Sequence, residues 1–94
     1  MQEITLVSNK FTAAYSLVVV YTLGWRQNRS EGVIVPIIYS GSGTKICDSS
    51  IMKSTSNPNY YGAHVVIISN VNNGDSLVFD NTYQAMQGYK IFGC

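Results

Sequence analysis

The stretch that decides the fold is AHVVIISNVNNGDSLVFD, residues 63–80. Residues 64–69 form a nearly continuous apolar run, which is typical of a central strand covered on both faces. Asn72, Asn73 and Gly74 follow, and these residue types accept the positive φ angles of a β-hairpin turn. Residues 76–80 then return as a second strand. The stretch predicts an antiparallel hairpin between residues 64–69 and residues 76–80.

Upstream of this hairpin, the spacing of apolar residues predicts a helix over residues 9–23. Apolar and aromatic side chains recur at steps of three and four residues, which places them on one helical face. They are Phe11, Ala14, Tyr15, Val18, Tyr21, Thr22 and Trp25. Ser8 is suited to cap the start of such a helix, and Gly24 to cap its end. The β-branched run at residues 18–20 favours a strand instead, because branched side chains lose rotamer freedom in helices.

The rest of the chain reads as short strands joined by turns. Strands are expected at residues 2–7, 33–39, 44–48 (resuming at 51–52) and 89–92, with Pro36 restricting the second of these to a sheet edge or breaking it. Turns and loops are expected at residues 40–43, 54–59 and 81–88. The sequence therefore predicts one α+β domain over residues 1–94. An N-terminal helix would pack on a twisted antiparallel sheet of about four to five strands.

Composition narrows the classes of partner. The 94 residues carry a net charge of +1, with 46% hydrophobic and 12% charged residues. This balance excludes the strongly basic surface that most nucleic-acid-binding domains carry, although a local patch remains open. The chain shows no basic segment followed by an apolar run at its start, so no signal peptide is expected in it. No apolar stretch approaches the ~20 residues of a membrane span, so no membrane partner is expected.

Few residues are available for catalysis or metal binding. The single histidine, His64, excludes a two-histidine acid–base pair and a histidine-rich zinc site, so neither a metal nor a cofactor is expected. Cys47 and Cys94 permit one disulfide or two free thiols. Residues 63–83 resemble the His-strand-turn-strand-Asp half of papain-like and transglutaminase-like enzymes. A thiol hydrolase or deamidase using Cys47, His64 and Asp80 is therefore an alternative, but Cys47 does not precede the predicted helix, where such enzymes place their nucleophile.

Exposed aromatic and basic residues are the better candidates for a binding site. Tyrosine is frequent at protein interfaces and also stacks on bases. The pair Tyr60-Tyr61 lies beside a proline-containing loop, and Tyr83 lies in the loop before the last strand. Arg26 and Arg29 follow the predicted helix. Together with His64, these residues form the predicted binding set.

The order of these elements resembles the small microbial ribonuclease fold and, more closely, the ribonuclease-like secreted effectors of powdery-mildew fungi. The segments that carry the resemblance are NKFTAAYSLVVVYTLGW, GVIVPIIYSG, AHVVIISNVNNGDSLVFDN and GYKIFGC. The terminal Cys94 fits the half-cystine that ends those effectors. Their aromatic-x-Cys motif near the mature N-terminus is missing from residues 1–10. Three alternatives follow from this difference. Cys94 pairs with Cys47 instead, or Cys94 is a free thiol, or the chain does not belong to the family.

The resemblance also implies a function. Ribonucleases of this fold need a glutamate base, a histidine acid and an arginine or histidine that holds phosphate, and a lone histidine cannot serve as base and acid together. The implied protein is a non-catalytic virulence effector of a plant pathogen, secreted and acting inside the host cell. Its partners would be a host protein, an immune receptor, RNA or the ribosome. A phage or bacterial protein that blocks a defence or toxin partner is a further alternative.

Overall fold

A computed structural model of the chain describes residues 1–54 and 58–94, and within these ranges it contains seven strands and no helix. The strands are β1 (Gln2–Glu3), β2 (Tyr15–Gln27), β3 (Ile37–Ser40), β4 (Thr44–Ser54), β5 (Asn59–Val71), β6 (Ser76–Phe79) and β7 (Met86–Gly93). The protein is a small all-β fold. The predicted α+β class, with an N-terminal helix on a sheet, is therefore wrong.

The segment predicted to be a helix is the long strand β2. Burial alternates along it: Val18, Val20 and Thr22 are fully buried, whereas the residues between them are half-buried. This period of two is that of a strand. Both faces of β2 carry apolar side chains. Apolar residues therefore also occur at separations of three and four residues, which is the spacing expected of a helix. Gly24, predicted to cap a helix, lies inside β2.

The strands form two antiparallel sheets. A large sheet has the order β1-β7-β2-β5-β4, and a small sheet pairs β3 with β6. The strand predicted at residues 64–69 does lie inside the large sheet, as the longer β5, between β2 and β4. The predicted hairpin partner is wrong, because β6 pairs with β3 from Ile37↔Phe79 to Ser40↔Ser76. The turn after β5 carries the chain from one sheet to the other instead of back along its own strand.

A tight turn replaces the predicted helix start. Ser8 and Asn9 both have positive φ, 51° and 63°. Reciprocal backbone hydrogen bonds of 3.0 Å between Val7 and Lys10 close the turn. Two consecutive positive φ angles are the signature of a type I′ turn, so Ser8 reverses the chain here. The segment then joins the small sheet, where the Leu77 N–H donates to the Asn9 carbonyl at 2.9 Å.

The core lies between the two layers. Alternate residues of the large sheet point inward and are buried, and the small sheet with its connecting segments covers them. The main contributors are Val18, Val20, Val66, Ile68 and Ile91 from the large sheet, and Phe11, Ile37 and Leu77 from the covering layer. Phe11 and Val18 are therefore buried as the apolar pattern suggested, although neither is helical.

Two further expectations concern the connections. Pro36 ends the segment before β3, and residues 41–43 form the predicted turn between β3 and β4. The loop predicted at 54–59 falls largely on residues 55–57, which lie outside the described residues. In the described ranges, no helix is long and apolar enough to cross a membrane.

Candidate binding surface

The side of the large sheet that faces away from the small sheet is lined by apolar side chains; we call it the open face. It consists of the odd-numbered residues of β2 from Leu17 to Trp25, of β5 from Tyr61 to Ile67 and of β4 from Cys47 to Lys53, with Lys90 and Phe92 of β7. These side chains are half-buried or exposed, whereas their inward neighbours are almost all buried in β2 and β5. Among the described residues, no second layer covers this side.

Cross-strand register aligns the open face in rows. Val19 lies opposite Ile67 on one side and Phe92 on the other, and Tyr21 lies between Val65 and Lys90. The Lys90 ammonium contacts the Glu3 carboxylate at 2.9 Å. This hydrogen bond raises the pKa of Lys90, and it offsets the charge of the lysine on the open face. The rows are therefore apolar along most of their length.

One end of the open face is concave. A shallow depression of about 480 Å³ is lined by Leu23, Trp25, Ile51, Lys53, Tyr61, Ala63 and Gln87, with the backbone of Gly24 and Gly62 between them. Two aromatic rings and two aliphatic side chains supply most of its walls. Such a mixture of apolar walls and few polar groups is typical of a site that accepts an apolar side chain or ligand.

The structure does not bring the proposed thiol triad together. Cys47 lies opposite Ile67 and therefore points to the open face. His64 lies opposite Thr22 and points inward, where it is buried. The Asp80 carboxylate accepts hydrogen bonds from the backbone and hydroxyl of Thr82 in the loop before β7. The thiol and the imidazole are thus separated by the backbone of the sheet.

The carboxylate that actually contacts His64 is Asp48. Its Oδ1 lies 2.6 Å from His64 Nε2, and the Val35 carbonyl oxygen lies 3.3 Å from Nδ1. Both neighbours are acceptors, so a neutral ring donates to only one of them and a doubly protonated ring donates to both. Hydrogen bonds from Lys45 and then from His64 lower the pKa of Asp48. The cluster ties the edge strand β4 to β5 and to the covering layer.

The two cysteines are not bonded. Cys94 follows β7, and its backbone pairs with Leu17 of β2. Cys47 belongs to β4, which lies three strand positions from β7 in the large sheet. Three strand spacings amount to about 14 Å, about twice the Cα separation that a disulfide spans. A Cys47–Cys94 bond would require the sheet to open.

The residues of the predicted binding set are scattered. Tyr61 lies on the open face, but Tyr60 and His64 belong to the inward side of β5. Arg26 lies over the ring of Tyr83, 4.9 Å from its centroid, and donates to the Glu31 carbonyl at 2.5 Å. Arg29 is exposed in the connection after β2. The described residues also contain no group of three or more His, Cys, Asp or Glu side chains placed to hold a metal ion.

The sequence did contain a signal for most of the open face. The runs Val18-Val19-Val20 and Val65-Val66-Ile67-Ile68 put apolar side chains on both sides of a strand. A strand that needs only one buried face alternates apolar with polar residues. Because the first run was predicted to be helical, the sequence did not predict that β2 pairs with β5 or that their outer residues form one surface.

Comparisons with models of protein families, with curated proteins and with solved structures each gave no match. The resemblance to ribonuclease-like effectors therefore stays a prediction.

Proposed function

We propose that this chain is a non-catalytic binding protein that recognises a protein partner through the open face. The observation that carries the proposal is the row of half-buried and exposed apolar side chains along β2 and β5, from Leu17 to Trp25 and from Tyr61 to Ile67. Soluble proteins rarely expose a contiguous apolar surface of several hundred Å² unless it serves as an interaction site.

The chemistry of the open face favours protein over RNA. Single-stranded RNA is held by a positively charged groove with stacking platforms. Among the described residues of the open face, the cations are Lys53 and Lys90, and Lys90 is paired with Glu3. Aromatic side chains set among aliphatic ones, with charges at the margin, match the core of a protein–protein interface. RNA binding is therefore the outcome that this proposal excludes.

The non-catalytic part of the proposal has its support in the placement of the candidate residues. Cys47 and His64 lie on opposite sides of the sheet, and Asp80 contacts Thr82. The narrower idea of a secreted effector that acts on a host protein or an immune receptor would also use such a surface. It stays a prediction, because the open face itself fits protein partners in general.

Photo-cross-linking from two matched positions tests the proposal. Tyr61 on the open face is 46% exposed, and Tyr83 in the loop before β7 is 53% exposed. Each is replaced separately by benzoylphenylalanine, and the protein is irradiated in the cells that produce it. We expect a covalent protein adduct from position 61 and none from position 83. Equal labelling at both positions, or an adduct that ribonuclease removes, would contradict the proposal.

A further inference from the structure

We infer that the partner of the open face is a second copy of this chain, so that two large sheets pack face to face as a β-sandwich. This inference rests on the proposed function and specifies the partner. It starts from a mismatch between the sequence and the fold. Residues 64–69 have the apolar pattern of a strand covered on both faces, but the covering layer of this chain buries only one of them, the side of His64, Val66 and Ile68.

The area of the open face is sufficient for a stable dimer. Four strands about 4.8 Å apart, over the nine residues from Leu17 to Trp25 at about 3.3 Å each, present roughly 600 Å² in projection. The relief of the side chains adds to this value. Specific interfaces bury about 800 Å² per partner, with a lower limit of about 600 Å². Two open faces therefore reach the size class of a specific interface without help from other surfaces.

Composition favours a second copy over a different protein. Interfaces between separately soluble partners are about as apolar as the remaining surface, whereas homodimer interfaces are more apolar. The open face belongs to the second class, because apolar side chains line the central strands and the described charges lie towards its margins. A two-fold axis would place each patch against its own copy, as isologous dimers require. Sheets packed in this way lie about 10 Å apart.

The charges on the open face do not oppose such a contact. Lys90 and Glu3 neutralise each other at one side, and Lys53 lies on β4 at the opposite side of the sheet. The shallow depression next to Lys53 is lined by Leu23 and Ile51, which are exposed in the single chain. In the dimer these side chains are covered by the facing sheet. The facing sheet would therefore remove the exposed apolar side chains Leu23 and Ile51 from water.

Sedimentation velocity across a range of protein concentrations tests the inference with a matched pair of variants. Leu23 is 45% exposed on the open face, and Ile38 is 47% exposed on the outer side of the small sheet. We expect the wild type and Ile38→Lys to sediment as dimers, and Leu23→Lys to sediment as a monomer with an unchanged circular dichroism spectrum. A monomeric wild type, or a dimer that persists in Leu23→Lys, overturns the inference.

Alkylation of the wild-type protein tests the dimer without any substitution, so that misfolding of a variant cannot affect the result. Cys47 lies on the open face, so its alkylation should slow as the protein concentration rises and the dimer forms. A rate that is independent of concentration counts against the dimer. If the wild type is a monomer and position 61 cross-links to a different polypeptide, the second copy is refuted and the proposed function stands. If position 61 gives no adduct as well, the proposed function fails with it.

Discussion

Gly24 of β2 lies directly opposite Gly62 of β5, and together they leave a gap in the inner side of the large sheet. The backbone of Val33 fills this gap: a Cβ at either glycine would overlap its carbonyl group. The covering layer can therefore approach the sheet backbone itself at this point. Val33 and Val35 are buried as a result.

Alanine at either glycine should destabilise the fold. Gly24→Ala or Gly62→Ala forces Val33 away from the sheet, and over-packing of this kind costs about 1–3 kcal/mol. Gly88→Ala is the control, since a Cβ there meets no atom within 4 Å. Chemical denaturation of the three variants measures the difference. Equal stability of Gly24→Ala and Gly88→Ala would show that the covering layer can move without cost.

Truncation of Phe11 tests the connection that replaces the predicted helix. Phe11 is buried, contacts the Tyr15 ring at 6.1 Å between centroids and belongs to the main core cluster. Phe11→Ala should lower the free energy of unfolding by about 3–5 kcal/mol, because a large core side chain leaves a cavity. A loss below about 1 kcal/mol, measured by urea denaturation, would mean that residues 8–14 are not part of the cooperative core.

The Tyr39 hydroxyl holds two turns together. It donates to the Asp75 carboxylate at 2.6 Å and accepts from the Gly43 N–H at 2.8 Å. The same carboxylate oxygen accepts the Asn72 N–H at 2.8 Å. Tyr39→Phe removes the first two bonds and should cost about 1–3 kcal/mol at neutral pH, because one of them involves a charged group.

Alkaline pH provides a further check on Tyr39. Burial raises the pKa of Tyr39, and the hydrogen bond to Asp75 raises it further. The unfolded tyrosine therefore ionises first, above a pH of about 10. The stability that Tyr39 contributes is complete below that pH and is lost as the pH rises towards the folded pKa. The difference between wild type and Tyr39→Phe should shrink over this range, as measured by denaturant titration. A difference that grows would contradict the arrangement.

Acid pH should weaken the contribution of Asp48. The pKa of Asp48 is lowered in the folded chain, so its contribution is present above the unfolded value of about 4 and is lost as the pH falls through the folded value. Because the side chain is 43% exposed, we expect no more than about 1 kcal/mol. Asp48→Asn should be less stable than wild type at neutral pH and nearly equal to it at the acid end. Thermal unfolding at several pH values makes the comparison.

The sequence predicted individual strands better than it predicted their partners. Residues 64–69 were correctly predicted as a central strand, because a long apolar run bounded by turn residues is typical of a strand buried inside a sheet. Asn73 and Gly74 correctly predicted a turn, but turn chemistry does not specify which strand comes next to which. The pairing of β6 with β3 depends on contacts with residues 37–40 and with Lys10, far away in the sequence.

The helix error and the missed binding surface have one cause. In Leu17-Val18-Val19-Val20-Tyr21 every position is apolar or aromatic, so a period of two carries no contrast. The remaining signal was the secondary-structure propensity of the residues, and the β-branched residues Val18, Val19 and Val20 favour a strand. Apolar residues on the outer side of a strand remove the alternation of apolar and polar residues by which a strand is recognised. The same outer residues allow that side to bind a partner. Tyr61 was recognised because aromatic residues are conspicuous, while Val19, Val65 and Ile67 were not.

The strand order has a consequence for how the chain is made. Of the described strands, β7 is the last to leave the ribosome, yet it lies between β1 and β2 in the large sheet. Until β7 emerges, β1 has no neighbour and one edge of β2 keeps its backbone N–H and C=O groups unpaired. Pairing between segments so far apart in sequence is slow, and exposed strand edges promote aggregation. Completion of this sheet therefore has to wait until β7 has been synthesised, and until then the unpaired edge of β2 is open to contact with other chains.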